Sequence, residues 1–377
     1  MSEYEIKYEE LGALAPDSFL LIDTRGEIPF GYGSIPNAVC VPDIIKAAEE
    51  GSLPTDKRLV LFCMRGVASV EQAEILCEMG YNACSLIGGY EQWLRTNCGR
   101  ADRSREIELS ITKRRCFKEK LFRPFTKAIV SYELVEPNDK IAVCISGGKD
   151  SMLMAKLFQE LKRHRKFDFE LVFLVMDPGY NEINRTLIEN NAATMGIPIE
   201  IFKTDIFDSV FNVEKNPCYL CARMRRGDLY KKAQELGCNK IALGHHYDDV
   251  IETNLMSMLW GGQIQSMLPK LKSKNYEGME LIRPLYLVRE HDIKAWRDAN
   301  RLHFIECACR FTETCTSCKS DGSAVSKRME TKLLIKELKK TNPNIEANIF
   351  NSMHNVCLDT VIAYKKDGVE HSFLDNY

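Results

Sequence analysis

The chain has 377 residues, of which 45% are apolar and 28% charged, and its formal net charge is −2. This length predicts two ordinary globular domains, each with enough chain to bury a core. No apolar run is long enough to span a membrane, and the first residues lack the basic and apolar stretches of an export signal. We therefore expect a cytoplasmic protein that does not enter a membrane.

Fifteen cysteines are an unusually large number for such a chain. A secreted disulfide scaffold would be short and would carry an export signal, so we expect nucleophiles, metal ligands and small buried side chains instead. Seven cysteines in apolar or helical surroundings are interpreted as core residues: Cys40, Cys77, Cys84, Cys98, Cys144, Cys238 and Cys357. The others are Cys63, Cys116, the pair Cys218 and Cys221, and the cluster Cys307, Cys309, Cys315 and Cys318.

The two halves of the chain differ in charge. Residues 1–98 contain 7 Lys and Arg against 15 Asp and Glu, a net −8, whereas the rest contains 44 against 38, a net +6. We predict one domain over residues 1–99 and another over 124–377, joined by a basic linker over 100–123. That linker is either a solvated surface or an arm that contacts phosphates.

Both halves alternate short β-rich runs with helical stretches, which is typical of parallel α/β folds. In the first half, a strand over 59–62 precedes a loop and a helix over 70–79. In the second half, buried strands are predicted over 140–145, 170–176, 199–202 and 240–243.

Cys63 opens the loop between the strand over 59–62 and the following helix. Backbone N–H groups and the helix N-terminus converge at such a junction, and with Arg65 nearby they favour the thiolate over the thiol. A thiolate held in this way is a nucleophile that can also carry an additional sulfur atom as a persulfide.

Four motifs surround this loop in a characteristic order: residues 21–25 (LIDTR), 33–38 (GSIPNA), 63–69 (CMRGVAS) and 88–94 (GGYEQWL). Over about residues 5–98 the sequence thereby resembles the rhodanese domain of sulfurtransferases. This resemblance implies a parallel sheet wrapped by helices and a persulfide on Cys63. Many rhodaneses have a second basic residue where this chain has Ala68 and Ser69, so a protein persulfide is at least as good a candidate donor as thiosulfate.

The strand over 140–145 leads into the hexapeptide Ser146-Gly147-Gly148-Lys149-Asp150-Ser151 and an amphipathic helix. The glycines, the N–H groups of the helix N-terminus and the lysine charge form a cradle for phosphate. Val143 and Asp150 stand where a Walker A loop needs Gly and Ser or Thr, so this is a different phosphate loop. It resembles the loop of the PP-loop ATPases, which bind the pyrophosphate of ATP and adenylate a carbonyl oxygen.

Further motifs narrow the resemblance, over about residues 124–357, to the tRNA 2-thiocytidine synthetase group and its 2-thiouridine relatives. They lie at residues 217–227, 244–249, 260–262 and 283–292. In that family three cysteines hold a 4Fe-4S cluster and leave one iron open to sulfide. This implies Cys218 and Cys221 as ligands, with Cys318, or next Cys315, as the third.

Several residues near these motifs keep alternative interpretations. Cys307 and Cys309 depart from the family pattern and leave open a separate zinc site made from the four clustered cysteines. His246 is expected to be a satisfied core histidine, whereas the resemblance implies a catalytic or Mg²⁺-related role for Asp249. Arg225 could stabilise the charge that develops on an adenylated base or its phosphate.

A predicted helix near the C-terminal end carries many basic side chains. It is either a solvated face or a surface that contacts an RNA backbone. The residues are Lys319, Lys327, Arg328, Lys332, Lys336, Lys339 and Lys340.

Together these features predict a sulfur-relay enzyme. Cys63 would carry a persulfide and pass its sulfur to the open iron. ATP with Mg²⁺ would adenylate the C2 carbonyl oxygen of a pyrimidine in tRNA. The sulfur would then attack C2, and the oxygen would leave with AMP. The expected partners are tRNA and a persulfide donor such as a cysteine desulfurase, and a homodimer is left open. Two alternatives are a PP-loop sulfurtransferase acting on a small molecule or cofactor, and a zinc-bound redox sensor or tRNA-binding module.

Overall fold

The structure is a computed structural model that describes residues 4–97, 102–164, 168–180, 182–206, 217–304 and 327–376. The strands of the first domain are β1 (Glu5–Ile6), β2 (Phe19–Asp23), β3 (Val39–Cys40), β4 (Arg58–Phe62) and β5 (Ala83–Leu86). Its helices are α1 (Tyr8–Gly12), α2 (Glu27–Tyr32), α3 (Ile44–Glu49), α4 (Ala68–Glu78) and α5 (Gly89–Asn97).

The first sheet is parallel throughout and has the strand order β1-β5-β4-β2-β3. Along β4, Leu59 and Leu61 face one apolar cluster while Val60 and Phe62 face another, as the two-residue period of a strand requires. Both faces of the sheet are therefore covered, which is usual for parallel sheets. The register pairs Asp23 with Phe62, so the loops after β2 and β4 leave the same edge side by side.

The second domain begins with helices α6 (Ser104–Lys113) and α7 (Arg115–Phe117), a π-helical turn (Lys118–Phe122) and α8 (Arg123–Ser131). Its sheet contains β6 (Lys140–Ile145), β7 (Glu170–Asp177), β8 (Ile199–Lys203), β9 (Lys240–Ala242), β10 (Lys270–Lys272) and β11 (Glu280–Ile282). The intervening and following helices are α9 (Lys149–Arg163), α10 (Glu182–Met195), α11 (Pro217–Glu235), α12 (Tyr247–Leu259), α13 (Glu290–Ala299), α14 (Lys327–Thr341) and α15 (Ile345–Ser352). A hairpin of β12 (Ala363–Lys366) and β13 (Val369–Ser372) follows.

The order of the second sheet is β10-β11-β9-β6-β7-β8, and every neighbouring pair is parallel except β10 with β11. All four strands predicted for this half are present, with their ends shifted by no more than one residue. The loops after β6, β9 and β11 therefore meet at one carboxyl edge, where open α/β sheets bind ligands.

The described part of the predicted linker, residues 102–123, does not form a separate linker, because it is largely helical and packs into the second core. Ile107, Ile111, Phe117 and Leu121 are buried in the main apolar cluster of the second domain. These residues recur at helical spacing beneath the basic side chains, so one face packs inward while the other stays solvated.

The two domains contact each other through apolar side chains. Leu187 of α10 belongs to the apolar cluster of the first domain. On α5, the ring of Trp93 meets the edge of His303, with centroids 4.5 Å apart. These contacts attach the first sheet to α10 and to the segment that follows α13.

The predicted core cysteines divide by burial. Cys84, Cys144 and Cys238 are buried as expected, and Cys40 and Cys77 are partly buried. Cys357 is exposed, so its interpretation as a core residue is wrong; it lies in the short segment between α15 and the hairpin. Cys98 lies outside the described residues.

Among the described parts of the chain, none of the helices combines the length and the hydropathy that a membrane span requires.

Candidate functional site

The first candidate centre is the Cys63 loop at the carboxyl end of β4. The Cys63 sulfur accepts hydrogen bonds from the Gly66 N–H at 3.2 Å and from the Ser69 hydroxyl at 3.4 Å. Ser69 also accepts from the Cys63 N–H and bonds to Ser85, which fixes its hydroxyl beneath the loop. The loop thus directs several donors at one sulfur atom.

These donors favour the thiolate. Burial alone raises the pKa of Cys63, but the hydrogen bonds from Ser69 and from the backbone of residues 65 and 66 outweigh it and leave the pKa below its usual value. The guanidinium of Arg65 lies 3.6 Å from the Glu91 carboxylate, so this residue acts on the sulfur through its backbone N–H. The sequence analysis predicted the backbone N–H donors but added the Arg65 charge to them and did not identify the Ser69 hydroxyl.

Two glycines allow the loop to close this tightly. Gly89 has a φ of +56°, and a Cβ built there would lie 2.3 Å from the Cys63 carbonyl oxygen and 2.6 Å from the Gly66 nitrogen. Gly66 itself has a φ of +81°. Any larger residue at position 89 would push the Cys63 loop away from the start of α5.

A buried ion pair fixes the neighbouring loop after β2. Arg25 donates to both carboxylate oxygens of Asp23, at 2.9 and 2.7 Å, and its guanidinium lies 3.8 Å from the centre of the Tyr90 ring. The same guanidinium donates to the Gly33 carbonyl at 2.6 Å, and the Ser34 hydroxyl donates to Asp23. Three of the four rhodanese-like motifs therefore meet around one guanidinium.

The second candidate centre is the loop between β6 and α9. Gly147 has a φ of +84°, and the Ser151 hydroxyl accepts from the Ser146 N–H while donating to the Gly148 carbonyl. This closes the loop over the N-terminus of α9 and leaves Ser146 exposed. Gly244, just after β9, packs against it: a Cβ there would lie 3.2 Å from the Ser151 nitrogen.

Lys149 of this loop is buried and held by two carboxylates. Its ammonium lies 3.1 Å from Asp150 and 3.2 Å from Glu290, the first residue of α13. The other Asp150 oxygen, Oδ1, is buried and has no hydrogen-bond partner within the described residues. Glu290 was noted in the sequence only as part of a motif, and nothing in the local pattern indicates that it contacts the phosphate loop.

The residues after β9 form the cap of α12. Asp249 N–H donates to His246 Nδ1 at 3.4 Å, and His246 N–H donates to Asp249 Oδ2 at 2.9 Å, so the two residues cap the helix reciprocally. Burial raises the pKa of Asp249, but His246 and Arg328 outweigh it and lower the pKa, so this carboxylate is ionised. His246 is buried and satisfied, as expected.

Two further polar residues lie at this edge with unused hydrogen-bonding capacity. Arg283, just after β11, is 8% exposed and donates to the Leu268 carbonyl. Its Nε and the Nδ1 of His245 are buried and have no hydrogen-bond partner among the described residues. Burial lowers the pKa of Arg283 to about 10 and that of the His245 imidazole to about 4. No carboxylate of the described chain lies within 4.0 Å of Arg283. Buried polar groups of this kind are typical of ligand sites.

The predicted metal ligands fall largely beyond the described side chains. Cys218 and Cys221 occur in the first turns of α11, and Arg225 lies one turn further along that helix, partly buried. Cys307, Cys309, Cys315 and Cys318 lie outside the described residues. Within the described residues, no three His, Cys, Asp or Glu side chains gather in a way that could hold a metal ion.

The basic helix is α14, and several of its charged side chains pair with carboxylates on neighbouring helices of the second domain. Arg328 lies 3.0 Å from Asp249, Lys332 lies 2.8 Å from Glu290, and Lys339 lies 2.6 Å from Glu346. These three side chains connect α14 to α12, α13 and α15, so they do not belong to a purely solvated or RNA-facing stripe. Lys319 lies outside the described residues.

Comparison with known proteins agrees with both centres. Residues 117–310 match the model of the PP-loop domain family, and residues 8–96 match that of the rhodanese-like domain. A tRNA-cytidine(32) 2-sulfurtransferase from Paracidovorax citrulli is 36% identical over 280 residues, covering 72% of this chain and 84% of that one. The chain belongs to this PP-loop family.

The chain is also similar to two further proteins. A tRNA-cytidine(32) 2-sulfurtransferase from Anaeromyxobacter dehalogenans is 35% identical over 242 residues, covering 63% of this chain and 80% of that one. Among solved structures, the U34-tRNA thiolase from Methanococcus maripaludis with its 4Fe-4S cluster has a TM-score of 0.48 and 22% identity, covering 62% of this chain and 76% of that one.

Family membership confirms three predictions from the sequence. The fold consists of a rhodanese-like α/β domain followed by a PP-loop α/β domain. The resemblance to the 2-thiocytidine synthetase group is correct. The chain is an enzyme of the ATP-dependent sulfurtransferase class.

Proposed function

We propose that this enzyme replaces the C2 oxygen of a cytidine in tRNA with sulfur supplied by its own rhodanese-like domain. The observation that carries the proposal is the closed Ser146–Ser151 loop, with the buried ammonium of Lys149 at its rim, in a chain of the 2-sulfurtransferase family. A ring carbonyl oxygen is a very poor leaving group, so it must first be activated.

The phosphate loop supplies that activation. Backbone N–H groups at the start of α9 and the Lys149 ammonium would bind the pyrophosphate portion of ATP. The cytidine oxygen attacks the α-phosphorus and releases pyrophosphate; sulfide then adds at C2 and the oxygen leaves with AMP. Arg225 would stabilise the negative charge that develops as AMP departs.

The Cys63 thiolate would carry the sulfur. A sulfur atom added to this residue forms a persulfide, whose charge the Gly66 N–H and the Ser69 hydroxyl would stabilise. Its release as hydrosulfide consumes two electrons from a thiol reductant and regenerates Cys63. A protein persulfide, such as that of a cysteine desulfurase, is the proposed donor.

Metal ions fit the remaining residues by donor chemistry. A 4Fe-4S cluster held by Cys218, Cys221 and a third cysteine, for which Cys318 is the first candidate, would supply an iron position that binds sulfide. Asp150, with one buried oxygen unpartnered among the described residues, and Asp249 would hold the Mg²⁺ that accompanies ATP. A tRNA substrate and a cytoplasmic location follow from the same proposal.

The test is nucleoside mass analysis of tRNA that lacks 2-thiocytidine, incubated anaerobically with the enzyme, ATP, Mg²⁺ and either free sulfide or a protein persulfide together with a thiol reductant. We expect 2-thiocytidine and AMP in equal amounts. The variant Cys63→Ala should lose activity with the protein persulfide and keep it with sulfide, whereas Lys149→Ala should lose both. Thiolation without AMP release, or equal losses for Cys63→Ala with both donors, would contradict the proposal.

A further inference from the structure

Glu290 contacts three lysines from three different elements. Its carboxylate lies 3.2 Å from Lys149 in the phosphate loop, 3.4 Å from Lys294 one turn along α13, and 2.8 Å from Lys332 on α14. The residue is 7% exposed. Burial raises the pKa of Glu290, but the charges of Lys149, Lys332 and Lys294 outweigh it and hold the pKa far below its ordinary value. The carboxylate is therefore ionised near neutral pH.

This arrangement makes Glu290 a competitor for any anion that approaches the phosphate loop. Lys149 is the basic side chain of the loop, and its ammonium is already shared between Asp150 of the same loop and Glu290. A pyrophosphate bound by this loop can form an ion pair with Lys149 only if the ion pair between Lys149 and Glu290 weakens. Charges at this separation in a buried site interact strongly, so the competition affects affinity.

Glu290 can release Lys149 without becoming an unpaired buried charge. Its oxygen Oε2 keeps Lys332 at 2.8 Å, and Oε1 keeps Lys294 at 3.4 Å. Removing the last cationic partner of a buried carboxylate would be strongly destabilising, but two cations remain beside Glu290 when Lys149 leaves. The three-lysine arrangement thus allows the loop lysine to move between a protein carboxylate and a bound phosphate.

We propose that Glu290 is a positioning residue that holds Lys149 at the empty loop and yields it to the phosphate of a bound nucleotide. The inference rests on the proposed nucleotide-binding function of Ser146–Ser151. The same carboxylate joins the loop to α14, the helix that follows the cysteine-rich segment, through Lys332. The Glu290 carboxylate therefore takes part both in the proposed nucleotide binding, through Lys149, and in holding α14, through Lys332.

The direct test is calorimetric titration of the full chain with inorganic pyrophosphate and Mg²⁺. In Glu290→Gln the competitor is removed and the three lysines lose a common counter-charge, so pyrophosphate should bind about tenfold more tightly. Glu290→Asp keeps the charge and should return the affinity toward that of the wild type. A purely structural role predicts weaker or unchanged binding in Glu290→Gln, and either result would overturn the inference.

A matched control uses another carboxylate with two cationic partners. Glu346 lies 2.7 Å from Arg289 and 2.6 Å from Lys339 but makes no contact with Lys149 in the structure. Glu346→Gln should leave pyrophosphate affinity within about twofold of the wild type. A tenfold increase in this variant as well would show a general charge effect and would contradict the assignment to Glu290.

A second variant tests the same group if Glu290→Gln does not fold. Lys332 is partly exposed, and Lys332→Gln leaves Glu290 with one partner fewer, so the carboxylate should hold Lys149 more firmly and weaken pyrophosphate binding several-fold. Lys340→Gln removes a charge from the same helix, where Lys340 pairs with Glu337, and should change little. Equal effects of both lysine variants would refute the inference. No binding by the wild type would refute the nucleotide-binding function as well.

Discussion

At the scale of single residues, the chemistry of both centres depends on neutral donors as much as on charges. The thiolate of Cys63 is favoured by one hydroxyl and by backbone N–H groups, while the basic side chain of the loop, Arg65, contacts Glu91. Ala68 and Ser69 stand near the loop end, where the resemblance to rhodaneses leads one to expect a second basic residue. A hydroxyl stabilises sulfur charge without supplying a second positive charge for an oxyanion such as thiosulfate, which is consistent with the protein persulfide proposed as donor.

Ser69→Ala should therefore slow thiol reactions at Cys63. Loss of the hydroxyl removes a hydrogen bond to the sulfur and raises the pKa of the thiol, so alkylation by iodoacetamide near pH 7 should slow by about three- to tenfold. The measurement is the pH profile of labelling at Cys63, followed by peptide mass analysis, with Cys63→Ala as background. An unchanged profile would show that the backbone N–H groups suffice.

At the scale of elements, the sequence predicted what depends on local patterns. Strands β6 to β9 are short, largely apolar runs, and the phosphate loop is a contiguous hexapeptide, so these elements were predicted from the sequence, whereas the three-residue strands β10 and β11 were not. The contact between Lys149 and Glu290 was not, because it depends on how α13 packs against α9. The basic face of α14 was equally ambiguous, since lysines that pair with carboxylates of their own domain have the same spacing as lysines that contact RNA.

The packing of α5 against the Cys63 loop requires glycine at position 89. Gly89→Ala would place a methyl group 2.3 Å from the Cys63 carbonyl oxygen and would force alanine into a φ of +56°. Gly51→Ala is the matched control, because Gly51 has a similar φ of +65° but nothing within 4 Å of its Cβ position.

The free energies of unfolding in urea should distinguish backbone strain from steric overlap in the two alanine variants. Gly51→Ala should lower the free energy of unfolding by about 1 kcal/mol from backbone strain alone, and Gly89→Ala by about 3 kcal/mol or more. Gly89→Ala should also raise the pKa of Cys63, because the loop donors move away from the sulfur. Equal destabilisation by both substitutions would mean that the loop relaxes around the methyl group.

At the scale of the whole molecule, the chain joins an acidic domain to a basic one through a small apolar contact. Residues 1–98 have a net charge of −8 and the rest +6, so long-range attraction favours association of the two parts. The specific contacts are Leu187 in the first core and Trp93 against His303. Burial lowers the pKa of His303 to about 4, helped by the charge of Arg297.

This buried imidazole should make stability depend on pH. The ordinary pKa is 6.5, so below that value the unfolded chain binds a proton that the folded chain excludes, and the free energy of unfolding falls as the pH drops toward 4. Between pH 7 and pH 5 the share from His303 is about 2 kcal/mol, and it is absent above pH 7. His303→Phe keeps an aromatic edge against Trp93 and should remove that share.

The measurement is chemical unfolding of the full chain at pH 7 and pH 5. His371→Gln, on the separate C-terminal hairpin, should retain the wild-type dependence on pH. A His303→Phe variant whose stability falls as steeply as that of the wild type would show that the contact between the domains opens before the rest of the chain unfolds.

The position of Leu187 restricts how sulfur can travel. A first domain on a free tether could deliver its cargo as a swinging arm, but here such a swing would pull a side chain of α10 out of the first domain's core and separate Trp93 from His303. While those contacts persist, the distance from Cys63 to the phosphate loop is fixed. In the relay proposed above, sulfur released from Cys63 would then have to cross that fixed distance without a movement of the first domain.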